Sequence, residues 1–189
     1  MSLSLRDAVA ALPVVEEDRT GYTRDKFKHW VDADKDGCNT RAEVLIAEAV
    51  DPPAVGASCK LSGGEWYSYY DDTYVAGSSG LDVDHVVPLA EAWDSGASQW
   101  TATQRQQYAN DLDEPRALVA VSAKSNRSKA DTDVREWLPT YEPARCRYIA
   151  EWTAIKLRWG LTVDAAEQEV LTGWAAGCPN TEVTVTLAP

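Results

Sequence analysis

Short apolar runs alternate with polar punctuation along this chain, and their spacing predicts both helices and strands. Leu5 to Leu12 has helical periodicity and is closed by Pro13. Thr23 is placed to cap a helix reaching Val31, with Phe27 and Trp30 on one face. A loop from Asp32 to Asn39 follows, then a helix over residues 41–50 capped by Thr40 and stopped by Asp51-Pro52-Pro53. Residues 63–80 carry Trp66, Tyr67, Tyr69, Tyr70, Tyr74 and Val75 between glycines and serines, the pattern of a β-hairpin. Residues 83–87 read as a strand ended by Pro88, and residues 117–121 as a second strand. Between them, residues 89–96 and 101–112 look helical, the latter capped by Thr101 or Thr103. Ser122 caps a short helix running to Ala130. A longer helix over 142–159 stops at Gly160, Thr162 caps another over 163–176, and the Thr/Val alternation of 181–187 suggests an edge strand.

With 189 residues, 44% of them apolar and 25% charged, the chain can bury a real core, and one domain is the expected organisation. Eight Trp and eight Tyr against a single Phe suit half-buried positions with an exposed polar tip. The net charge of −12 argues against a protein that coats nucleic acid by bulk electrostatics. The charge is uneven, however: residues 51–115 hold 11 acids and 2 bases, whereas residues 116–160 hold 9 bases and 5 acids. That basic face offers a local site for a polyanion. No run approaches the roughly 20 apolar residues of a membrane-spanning helix, so no membrane partner is expected.

Four cysteines, Cys38, Cys59, Cys146 and Cys178, form no Cys-x-x-Cys pair. Their even number and wide spacing favour two disulfides and an oxidising compartment. Three connectivities are open, of which the pairing of sequence neighbours, Cys38–Cys59 and Cys146–Cys178, is the simplest. The N-terminal residues lack a basic stretch followed by an apolar one, so no signal peptide is expected there, and a secreted protein would be represented by its mature form.

The candidate chemistry centres on Asp84-His85, within the first of the two buried strands. Phosphodiester hydrolysis needs a nucleophile, charge stabilisation at the phosphate and help for the leaving oxygen. Histidine can take a proton from water near neutral pH. Oxygen donors such as Asp and Asn suit magnesium or manganese, which neutralise phosphate charge. On this reading His85 is the base, Asp84 holds the metal from the strand, and Asn126 completes the protein ligands from the short helix. Lys129 shares a helix face with Asn126 and is placed to hold a neighbouring phosphate. Successive strand residues point to opposite faces, so both members of the Asp-His pair serve one site only near the strand end or at a bend. Asp82 reads as a turn cap and His29 as structural.

The run Asp84-His85-Val86-Val87-Pro88-Leu89, the following Trp93 and Gly96-Ala97, Leu118 to Ser122, Asn126-Arg127-Ser128-Lys129, and Glu136-Trp137-Leu138-Pro139 together resemble an HNH endonuclease family, of the secreted type common in actinobacteria. That family is similar to the wider ββα-metal (His-Me finger) nucleases, and the resemblance spans residues 22–178. It implies an α+β fold, a ββα-metal core with a small antiparallel sheet surrounded by helices. It also implies His85 as general base, Asp84 and Asn126 as metal ligands, and a DNA substrate, with RNA as a further candidate. The family's middle Asn, which orients the histidine, falls where this chain has Ala117. The Ala117 carbonyl or Asn110 would then orient His85. Arg105 matches the general location of a phosphate-holding arginine in related periplasmic nucleases.

The run from Asp32 to Glu43 matches the EF-hand calcium loop, with Asp32, Asp34, Asp36 and Glu43 at acidic positions, Gly37 at the turn, and Cys38 and Thr40 among the ligand positions. The alternative is an Asp-rich turn. The expected organisation is thus a helix–loop–helix over 20–50, a nuclease core over 81–130 and C-terminal helices over 142–178, acting as a monomer. Rival readings are a non-catalytic, calcium-dependent cell-surface binding module and a zinc hydrolase, the latter starved of ligands by having two histidines.

Overall fold

A computed structural model describes residues 1–189. Along the chain run β1 (Ser2–Ser4), α1 (Leu5–Ala10), α2 (Thr40–Ala47), β2 (Ala49–Asp51), β3 (Ala54–Val55), β4 (Leu61–Ser62), β5 (Glu65–Ser68), β6 (Thr73–Ala76), β7 (Leu81–His85), α3 (Leu89–Asp94), α4 (Ala102–Ala109), β8 (Leu118–Ser122), α5 (Ala123–Lys129), α6 (Arg145–Trp159), α7 (Ala165–Gly177) and β9 (Glu182–Thr184). The fold is mixed: helices surround several small antiparallel sheets, with the orders β1-β9, β2-β5-β6, β3-β4 and β7-β8.

The pair β7-β8 positions the site. Leu81 lies opposite Ser122, Val83 opposite Ala120 and His85 opposite Leu118. The Val86 amide extends the ladder by donating to the Ala117 carbonyl at 3.1 Å. Every residue of β8 is buried, as expected for a strand covered on both faces. The Ser122 hydroxyl accepts from the Ser125 amide and starts α5, which turns back onto both strands. The core runs from Leu5 through Phe27, Trp66, Val121 and Trp152 to Val185.

The disulfides join Cys38 to Cys59 and Cys146 to Cys178, with Cα atoms 5.0 and 5.6 Å apart. Thr101 forms a capping box with Gln104, and Gly160, at φ 63°, ends α6 in the left-handed region that glycine adopts without strain. Four expected boundaries move. Asn39, not Thr40, caps α2, and Asp164, not Thr162, caps α7. The strand bearing His85 begins at Leu81 and stops at His85 rather than at Val87.

The fourth correction is the expected helix over residues 23–31, which is only a single 3-10 turn, Arg24–Lys26. Phe27 leaves that turn extended and drives its ring into a nest of Tyr22, Trp93 and Tyr108. Trp30 then takes a positive φ of 57° and crosses to the His85 ring. Packing of two aromatic side chains in different places, Phe27 buried and Trp30 half-buried, overrides the helical spacing.

Candidate active site

His85 ends β7 at the point where the chain turns into Pro88, and its ring is buried. Nε2 lies 2.9 Å from the Ala109 carbonyl, one of the last carbonyls of α4 and therefore without a helical donor. The carbonyl can only accept, so Nε2 carries the proton and Nδ1 keeps its lone pair. Trp30 stacks on the imidazole, with centroids 5.4 Å apart and planes 27° apart. Burial pushes the His85 pKa down to about 3, against the opposing pull of the Ala109 carbonyl, so the ring is neutral at physiological pH.

Neither expected orienting group acts on His85. The Ala117 carbonyl is taken by the Val86 amide. The Asn110 amide is also occupied: its Oδ1 accepts from the Val31 amide and the Thr40 hydroxyl, and its Nδ2 donates to the Lys28 and Gln106 carbonyls. Asn110 thereby ties the 28–40 segment to the end of α4, beside the carbonyl that does hold His85.

Asp84 is buried and uses a single oxygen for its protein contacts. Oδ2 accepts from the Tyr70 hydroxyl at 2.6 Å and from Lys129 Nζ at 2.7 Å, which leaves Oδ1 without a protein donor. Burial pushes the Asp84 carboxyl above its ordinary value, opposed by Lys129, and pushes the Tyr70 phenol well up, so the phenol remains a donor. Asn126, on α5, donates from Nδ2 to Asp82 at 3.2 Å and likewise keeps Oδ1 free of protein donors. Asp84, His85 and Asn126 line one open cavity of about 300 Å³, together with Arg24, Arg127 and Asp131. The donor set fits a magnesium-like ion: two uncommitted oxygens, one charged and one neutral, with room for water ligands.

Two expected phosphate contacts are corrected. Lys129 is 0% exposed, and its ammonium is shared between Asp84 and the His85 carbonyl at 2.8 Å, so it braces the site from beneath. Arg105 lies outside the cavity, donating to the Lys26, Ala97 and Trp100 carbonyls and covering the Trp93 ring. Its cation spans helix ends and loops rather than meeting a ligand.

The acidic loop is also reorganised. Oxygens of Asp32, Asp34 and Asp36 come within 4.8 Å of one another, all on exposed residues. Burial, then the charges of Asp34, Asp36 and Asp32, raises the Glu43 carboxyl. Yet no helix enters the loop, and Thr40 is 1% exposed with its hydroxyl turned inward to Val31 and Asn110. Cys38 is committed to its disulfide, with its amide donating to Asp36. The entering helix of an EF-hand is therefore not formed, while the Asp32 and Asp36 side chains accept from backbone amides of the turn.

Sequence reasoning missed Tyr70, Trp30, the Ala109 carbonyl and Arg24. Tyr70 left a faint trace, an aromatic at the corner of a predicted hairpin. Arg24 left none, since it stands 61 positions before His85 in an exposed turn.

An antiparallel strand pair leading into a helix thus brings a buried histidine, a carboxylate and an amide around one cavity. In keeping with it, residues 54–174 match the model of a family described as GmrSD restriction endonucleases, C-terminal domain, and the chain belongs to that nuclease-related family. Over 175 residues the chain is 39% identical to an uncharacterized secreted protein of Arthroderma benhamiae, covering 93% of this chain and 83% of that relative. No solved structure matches the chain.

Proposed function

We propose that this protein is an extracellular, metal-dependent endonuclease of the HNH type, with a His-Me finger core formed by β7, β8 and α5, hydrolysing DNA and, as a second substrate, RNA. The reading rests on one observation: His85, held at Nε2 by the Ala109 carbonyl, lines one cavity with Asp84 and Asn126, each of which keeps an oxygen free of protein donors. Secretion is supported by the two disulfides, by the absence of free cysteines and by the likeness to a secreted protein of Arthroderma benhamiae.

Asp84 Oδ1 and Asn126 Oδ1 would hold magnesium or manganese, which when bound neutralises charge on the phosphate and the leaving oxygen. His85 Nδ1 takes a proton from water as the water oxygen bonds to phosphorus. The bond from phosphorus to the leaving oxygen breaks, and that oxygen takes a proton from solvent. An anionic phosphate beside the ring favours the imidazolium as it forms, offsetting the cost that burial imposes on it. The Ala109 carbonyl and Trp30 hold the ring in one orientation through this transfer, and Lys129 with Tyr70 holds Asp84.

The test is cleavage of supercoiled plasmid by purified protein with magnesium or manganese. His85→Ala should lower the rate by roughly 10²–10⁴-fold, the usual contribution of a positioned general base. Wild-type protein that does not cut, or a folded His85→Ala variant that cuts equally well, overturns the proposal.

A further inference from the structure

We propose that Arg24 and Arg127 are the substrate-binding cations of this cavity, Arg24 on the phosphate that reacts and Arg127 on a flanking phosphate of the same strand. The assignment deepens the nuclease reading and rests on it. A phosphodiester brought to His85, Asp84 and Asn126 needs positive charge nearby, yet the other cations around this region are spent. Lys129 is sealed beneath Asp84, and Arg105 is bound to three backbone carbonyls.

Arg24 and Arg127 line the same cavity as the reactive groups, arriving from opposite parts of the chain. Arg24 projects from the 3-10 turn, is exposed, and makes no side-chain hydrogen bond or ion pair with the protein. A free guanidinium in a chain of net charge −12, beside a cavity, is a cation without a structural task. It shares one cavity with Asp84 and His85, so a phosphate brought to those two residues enters the same enclosure as Arg24.

Arg127 sits one residue beyond Asn126, with a side chain 75% exposed and held only loosely by Asp82 at 3.6 Å. Asp82 also takes the Asn126 amide, so one carboxylate sets the metal-ligand candidate and the outer arginine together. Guanidinium forks match phosphate oxygens in pairs, a geometry that lysine cannot reproduce. Asp131 shares the cavity and opposes any anion that strays toward its own side, which narrows the path to the two arginines.

The two positions separate kinetically. A contact to the reacting phosphate strengthens as charge redistributes in the transition state, whereas a contact to a flanking phosphate is made equally before and during reaction. The experiment is steady-state cleavage of a labelled duplex with magnesium, over a salt series, for wild type, Arg24→Ala, Arg24→Lys, Arg127→Ala and Lys60→Ala. Lys60 is exposed, lies outside the cavity and controls for the loss of one charge.

Arg24→Ala should lower kcat by roughly 10²-fold, in the range found for a lost transition-state donor, with Arg24→Lys recovering only part of it. Arg127→Ala should raise KM with kcat unchanged, and should make the slope of log kcat/KM against log salt shallower by about 0.9, the contribution of one duplex phosphate contact. An Arg24→Ala variant that matches Lys60→Ala, or that changes only KM, overturns the assignment of Arg24. An unchanged KM and salt slope overturns that of Arg127. In either case wild-type cleavage leaves the nuclease reading standing, whereas a wild type that does not cut removes that reading itself.

Discussion

Two lysines are fully buried in this protein, and their surroundings differ in a way that separates scaffold from site. Lys156 lies inside the helical half with Glu91 at 2.6 Å and Glu167 at 2.7 Å, and it also donates to the Ser95 hydroxyl and the Thr162 carbonyl. Lys129 lies beneath the cavity with one carboxylate, Asp84, and one carbonyl. Burial lowers the pKa of both ammonium groups. Two carboxylates outweigh that effect at Lys156, whose value is raised, whereas a single carboxylate does not at Lys129, whose value is lowered. Glu91 and Glu167 are paired with Lys156, Glu17 and Asp133 lie grouped with Glu91, and Arg135 pairs with Asp133. Around Lys129 one oxygen of Asp84 is held and the other is left available. An ammonium ringed by four acceptors makes an anchor, whereas the carboxylate that holds Lys129 keeps one oxygen free for a further partner.

Removing the anchor has the largest expected effect. Lys156→Met strands Glu91 and Glu167 in the core and should cost about 3–5 kcal/mol in urea-induced unfolding, as for other broken buried pairs. A loss below about 1 kcal/mol would show that Lys156 is not an anchor of the core.

Divalent metal provides a second, smaller contrast. Magnesium at about 100 times its dissociation constant should add about 2.7 kcal/mol to wild-type stability and the same to a magnesium titration of Lys156→Met. It should add nothing to Asp84→Asn. Calorimetry with and without chelator reads this directly, and a metal-induced shift that survives in Asp84→Asn would place the ion elsewhere.

A third contrast is pH dependence, and it belongs chiefly to the Lys156 side. Burial, then the charge of Glu91, raises Glu17 to about 8, and burial raises Glu167 to about 7. Glu48, buried at the edge of β8 where it accepts from the Ala120 amide, is raised to about 7 by burial. A carboxyl with a raised folded pKa binds more protons when folded than when unfolded, so its contribution falls as pH rises from about 4.5 through 8. The melting temperature should accordingly be higher at pH 5.5 than at pH 8.5, values chosen at roughly the two ends of that window. Glu17→Gln should flatten the slope, and a melting temperature that rises across the window would contradict the assignment.

Much of the frame around the cavity was legible in the residues. Strand, strand and helix were readable because Pro88 and Ser122 punctuate apolar runs, and both disulfides follow the simplest pairing. The residues gathered at the cavity were only partly readable. Asp84, His85 and Asn126 carry chemistry in their side chains, so a motif can mark them, and they do line one cavity. The work of a cation, by contrast, depends on what surrounds it: Lys129 and Arg105 were consumed by neighbours that no local pattern announces. Trp30 illustrates the same limit, since its spacing from Phe27 imitates a helix while its ring is needed over His85.

The grip of the Ala109 carbonyl on His85 has an evolutionary consequence. It is an atom that every amino acid carries, so replacement of residue 109 by another small side chain leaves the tether intact. What breaks the tether is a change of length: one residue inserted or deleted in α4 would present a carbonyl turned by about 100° around the helix axis. Drift in this segment is therefore free in composition and restricted in spacing. An alignment of its relatives would show the tether as a stretch without gaps rather than as a column of identical letters.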